Sequence, residues 1–212
     1  GCNSRSSDRR IDQALGRNSI MNKKEFVEQI KKDFETAGEL AGKMKTYEPE
    51  LFRVKPSEKQ WSAGECYGHL VVSLREYQGF LHQKLEELNS KKSDQTDDNE
   101  QIKHGLMAKF MFMALDPSKG RKVPAPKIFM PSSSEGIEQI ESFVELLDDF
   151  DQMFDQFSAY SLNQEKIPNP VMKLFKLRLC DVYQIHAWHN LRHIDQAERA
   201  ISAAEKAKNH SR

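Results

Sequence analysis

Residues Trp61–Leu70 read WSAGECYGHL, and this stretch decides how the chain is to be folded. Ser62 and Glu65 have the S-x-x-E spacing of a capping box, in which each side chain satisfies the other residue's free backbone N–H at a helix start. Trp61 precedes the cap and is expected to staple onto Cys66. From there Leu70, Leu74, Tyr77 and Leu81 recur at helical spacing to about Leu88. A long amphipathic helix with so definite a beginning needs partners of the same kind.

Upstream, residues 22–46 supply one. Asn22 and Glu25 form another plausible capping box, and Phe26, Ile30, Phe34, Ala37 and Leu40 make an apolar stripe. The intervening TYEPELFRVKPSEKQ reads as a loop, because Pro49 and Pro56 discourage helix. Downstream, NSKKSDQTDDNEQ is a charged connector. Residues 102–115 read as a short helix rich in Met and Phe, either a cover for the core or a lid over an apolar pocket. Pro117, Gly120, Pro124, Pro126 and Pro131 mark an irregular crossover. A third long helix then follows a serine cap, burying Ile137, Ile140, Phe143, Val144, Leu147 and Phe150. After NQEKIPNPVM a last long helix is expected over about 172–206, with a bend near Leu177. Strand-like alternation is scarce. The fold class is all-α: a four-helix bundle whose long crossover carries an extra helix between the second and third long helices. The expected organisation is an extension over 1–21, the bundle over 22–206 and a tail over 207–212.

Lys+Arg and Asp+Glu both number 32. That balance gives no support for nucleic-acid binding, which calls for a basic face. No apolar run is long enough to span a bilayer. The three cysteines, Cys2, Cys66 and Cys180, lack CxxC spacing, which argues against a disulfide framework or zinc ribbon. A cytoplasmic home is the simplest expectation. Its rival makes Cys2 the lipidated first residue of a lipoprotein, tethered by NSRSS.

Three of the seven histidines fall in HAWHNLRHIDQ, residues 186–196. His186, His189 and His193 lie at i, i+3 and i+7, one stripe of a helix. Core packing, a metal site and a proton relay all fit that pattern. The i, i+4 pair His189 and His193 can chelate one ion, although Asn190 stands where a zincin needs glutamate. Di-iron chemistry wants Glu-x-x-His, and that spacing is absent. A third ligand must come from another helix, and His69 is the best placed. His82 is rotated away from its face, His104 sits by the connector, and His210 is in the tail.

WSAGECYGHL followed by HNLRHIDQA resembles the DinB/YfiT-like superfamily of four-helix bundles. The matching residues are Trp61, Ser62, Glu65 and His69, then His189, His193 and Gln196. KVPAPKIFMPSSS and IPNPVMKLFKLRL are similar to segments of one branch. The resemblance covers roughly residues 22–205. It implies an up-down-down-up bundle and a divalent metal, commonly zinc or nickel, on three histidines. It also implies a small-molecule substrate, with thiol S-transfer or hydrolysis as the chemistry and a low-molecular-weight thiol as co-substrate. A non-catalytic binding or stress-associated module is the alternative, and a homodimer is left open. Three imidazoles leave zinc an open position, as catalytic sites do. Gln196 is the candidate to orient His193. Glu65 suits the cap better than a metal-site role, and His186 is placed as pocket wall or outer contact.

Overall fold

A computed structural model describes residues 21–91, 96–115, 125–133 and 135–210. The expectations for the N-terminal extension, for Cys2, for Pro117, Gly120 and Pro124, and for the last two residues of the tail fall outside them. Among the described residues five α-helices carry the fold: α1 Lys23–Met44, α2 Ala63–Lys91, α3 Leu106–Leu115, α4 Gln139–Phe157 and α5 Leu179–His210. The chain is mainly helical, as the apolar periodicity requires. Among the described residues no helix is long and apolar enough to cross a membrane.

Both capping boxes form. The Asn22 side chain accepts from the Glu25 N–H, and Glu25 accepts from the Asn22 N–H. At α2, the Ser62 hydroxyl accepts from the Glu65 N–H at 3.2 Å, and the Glu65 carboxylate from the Ser62 N–H at 2.8 Å. The third long helix behaves otherwise. Its N-cap is Glu138, with no side-chain cap bond, so the expected serine cap is not used.

The long helices pack as α1 on α4 and α5, and α2 on α4 and α5. Phe34 meets Tyr183, and Tyr67 meets Phe143. Along α1, Phe26 touches Phe154 while Lys45 reaches back to Glu141. Phe26, Ile30, Phe34 and Ala37 are buried as the stripe demands, with Phe143, Leu147 and Phe150 opposite.

Three local expectations are corrected. The loop after α1 contains a 3-10 turn, Pro49–Arg53, with Leu51 and Phe52 buried; proline at a first helical position keeps its backbone N–H requirement harmless. The Met/Phe-rich helix begins at Leu106, not at residue 102. Residues 172–178 are not the start of the last helix. They belong to an antiparallel hairpin of β1 Lys166–Pro168 and β2 Lys176–Arg178, with Ile167 opposite Leu177. Those two side chains are buried, so the alternation KIP…KLR is a real period-2 signal, too short to stand out among helices.

Between α3 and α4, Pro131, Glu135 and Gly136 lie against α2 at two glycines. A Cβ at Gly64 would stand 2.2 Å from the Glu135 carbonyl oxygen, and one at Gly68 would stand 2.7 Å from the Glu135 Cγ. Only hydrogen at these positions lets the crossover lie against the first turns of α2. It brings Phe129 beside His69.

Candidate metal centre

His69 projects from the second turn of α2, and His189 and His193 project from one face of α5. The three rings meet: centroids are 4.8 Å apart for His69–His189, 4.6 Å for His69–His193 and 4.6 Å for His189–His193. One ligand nitrogen from each lies within 4.8 Å of the others. The Nε2 atoms of His69 and His189 stand 2.9 Å apart.

The outward nitrogens explain the inward ones. His69 Nδ1–H donates to the Phe129 carbonyl at 2.6 Å, and His193 Nδ1–H donates to Gln196 Oε1 at 3.0 Å. A neutral imidazole has one N–H. Placing it on Nδ1 leaves the Nε2 lone pair of each ring facing its neighbours. His189 Nδ1 is buried without a partner among the described residues.

Burial chiefly depresses the pKa of all three imidazoles. For His189 and His193 the shift is large, and the nearby rings add to it. Neutral imidazole is also the form that binds a metal. Three neutral nitrogen donors aimed at one point fit a borderline-soft divalent ion. Tetrahedral bonds of about 2.0–2.1 Å put donors roughly 3.3 Å apart, so the His69–His189 pair needs to open by only a few tenths of an ångström. His69 is buried, whereas His189 keeps partial exposure.

The other sequence candidates have different duties. Glu65 is nearly buried, completes the cap and pairs with Lys55 at 2.7 Å. His186 is buried between Tyr77 and Phe150, at centroid distances of 4.7 and 5.2 Å, with neither nitrogen hydrogen-bonded among the described residues. It is core wall beneath His189, and burial lowers its pKa to about 3. Gln196 accepts from His193 Nδ1. Trp61, assigned only a staple from sequence, also lies over His69 and His193, at 4.8 and 5.8 Å. The Phe129 carbonyl is a contact sequence reasoning missed, since a backbone acceptor has no residue-type signature. Helix α3 takes the covering role. Phe112 packs on Trp188, and Arg192 donates to the Leu115 carbonyl, a face of α5 turned away from His186.

A second group of ligand-type side chains, His104, Cys180 and Asp181, is closed by the protein itself. Asp181 accepts from His104 Nδ1 at 3.0 Å and from the Gly105 N–H through both oxygens at 3.2 Å. Burial drives the Cys180 thiol far toward its neutral form. This cluster pins the start of α3 to the start of α5.

The fold, the spacing and the converging imidazoles agree with the comparison against known families. The family model described as the DinB superfamily matches residues 35–197, and the chain belongs to that family. No curated protein and no solved structure matches it.

Proposed function

We propose that His69, His189 and His193 hold one divalent ion, zinc or nickel, and that the protein is a metal-dependent enzyme acting on a small molecule by thiol transfer or hydrolysis. The observation that carries this reading is the orientation of the rings: two of three are fixed by hydrogen bonds at the far nitrogen, leaving lone pairs convergent. Hydrogen bonds of that type are what orient metal-ligating histidines. When bound, the ion supplies Lewis acidity that makes a thiol or water nucleophilic at neutral pH. Around it, Phe129 and Gln196 hold two imidazoles in one tautomer, Trp61 screens one side from water, and the exposed edge of His189 faces the substrate. Buried as neutral thiols, Cys66 and Cys180 are poor nucleophiles, so the thiol comes from a co-substrate.

The cross-helix contacts support an up-down-down-up bundle over residues 22–206. Tyr67 with Phe143 and Gln78 with Asp149 are in parallel order, while Phe26 with Phe154 and Lys45 with Glu141 are antiparallel.

The test is metal content after gentle purification, followed by turnover of a panel of chloro-aromatics, epoxides and esters with and without low-molecular-weight thiols, beside His193→Ala. Turnover that needs both thiol and His193 supports the transferase, and turnover without thiol supports the hydrolase. Stoichiometric metal with no His193-dependent turnover leaves a binding module.

A further inference from the structure

The hairpin that precedes α5 presents side chains the fold does not use. Its base is well anchored: Ile167 and Leu177 are buried, and Arg178 donates to the Lys103 carbonyl. Its tip is organised as well. The Asn169 side chain accepts from the Val171 and Met172 N–H groups, the Asn169 N–H donates to the Phe175 carbonyl at 2.8 Å, and the Phe175 N–H donates to the Met172 carbonyl. On this ordered turn Leu174 is 98% exposed, and Val171, Met172 and Phe175 are all exposed. Rigidly displayed apolar side chains mark an interaction site more strongly than apolar residues scattered over a surface.

Charge identifies what they meet. Residues 166–178, KIPNPVMKLFKLR, contain Lys166, Lys173, Lys176 and Arg178 and no acid. A hairpin of net charge +4 on a chain of net charge zero leaves −4 on the remainder. The adjoining acid, Glu165, is engaged by Lys84 at 3.3 Å. Lys166, Lys173 and Lys176 are exposed and make no ion pair among the described residues. An apolar tip ringed by free lysines matches an anionic bilayer surface, where the tip enters the acyl boundary and the ammonium groups meet phosphates.

We propose that residues 171–176 dock this protein peripherally on anionic lipid. A second copy is disfavoured, because joining two such tips would juxtapose two sets of uncompensated lysines. Four apolar side chains also fall far short of the roughly 800 Å² per partner of a stable protein interface, whereas a bilayer needs only shallow insertion supplemented by charge.

The experiment is co-sedimentation of the 212-residue chain with vesicles of phosphatidylcholine alone or a three-to-one mixture of phosphatidylcholine and phosphatidylserine. Binding to the anionic vesicles is expected at about 0.02 M salt, with loss at about 0.5 M as the charges are screened. Lys173→Gln and Lys176→Gln should each weaken partitioning about fivefold, and Leu174→Gln about tenfold. All three positions are exposed, so circular dichroism and melting should stay unchanged and separate lost docking from lost folding. Absence of binding to the anionic vesicles overturns the proposal, as does binding that these substitutions leave intact. Leu174-dependent self-association in sedimentation velocity without lipid also overturns it, making the tip a protein interface.

Discussion

Among the described residues two clusters bring metal-ligand side chains together, and their hydrogen bonds are arranged differently. At His104, Cys180 and Asp181 both carboxylate oxygens already accept hydrogen bonds from the protein, and the thiol is neutral. At His69 and His193 the hydrogen bonds to Phe129 and Gln196 sit on the outer nitrogens, and the Nε2 atoms of His69 and His189 face each other at 2.9 Å. Residue identity therefore decides less than where each donor and acceptor finds its partner. A cluster that satisfies itself is a clamp, and one that leaves lone pairs turned inward could hold a cation.

The contrast breaks most directly on metal content. His69→Ala or His193→Ala should take bound metal from about one ion per chain to near zero, while His104→Ala leaves it unchanged; plasma mass spectrometry of dialysed protein reads both. Loss of metal in His104→Ala would falsify the division of roles. Next in size is stability. Asp181→Ala removes the acceptor of the Gly105 N–H and of His104, and should cost about 2–3 kcal/mol in urea unfolding with metal content intact.

Acid should act on the histidine cluster of the metal-free protein. Its three imidazoles and His186 have folded pKa values below the usual 6.5. The unfolded chain therefore binds more protons once pH falls below about 6.5. Stability is full above that pH and declines beneath it, by up to about 1.4 kcal/mol per pH unit for each such group; for His186 the decline continues to about pH 3. Denaturation midpoints followed from pH 7 downward check this, and saturating zinc should raise the upper part of the curve without changing its slope. Gln196→Leu should weaken metal binding about tenfold without unfolding the bundle, as competition with a chromogenic chelator would show. The smallest effect concerns His186, whose two nitrogens are buried and unpartnered among the described residues. His186→Phe should leave metal content unchanged and raise thermal stability by about 1 kcal/mol.

What was legible in the sequence follows the same division. Capping boxes at Asn22 and Ser62 are local, so both helix starts could be read from residue type. The apolar stripes named most of the core for the same reason. The i, i+4 spacing of His189 and His193 is likewise carried within one helix, and His69 was picked out by its place on the second helix, with the family's pattern naming the same residue. The hairpin was missed because three-residue strands give almost no alternation, and because Met172–Leu177 is apolar enough to pass for a helix. The serine cap failed because Glu138 starts α4 without a side-chain cap. Trp61 over the histidines, the Phe129 carbonyl and the Asp181 clamp are long-range contacts, invisible until the chain is folded.

The two glycines under the crossover have a thermodynamic consequence. His69 is oriented by a carbonyl that belongs to no α-helix, on a segment that stays in place because Gly64 and Gly68 admit it. If His69 binds the ion, occupancy of the centre and seating of Phe129, Pro131 and Glu135 are linked functions, and linkage is reciprocal. Whatever free energy the seated segment contributes to holding the ion, the ion returns in holding the segment. The crossover is then a reporter of the metal centre, its amide exchange slowing as the site fills. Gly64→Ala, remote from every donor nitrogen, becomes a substitution that lowers metal affinity by unseating a loop.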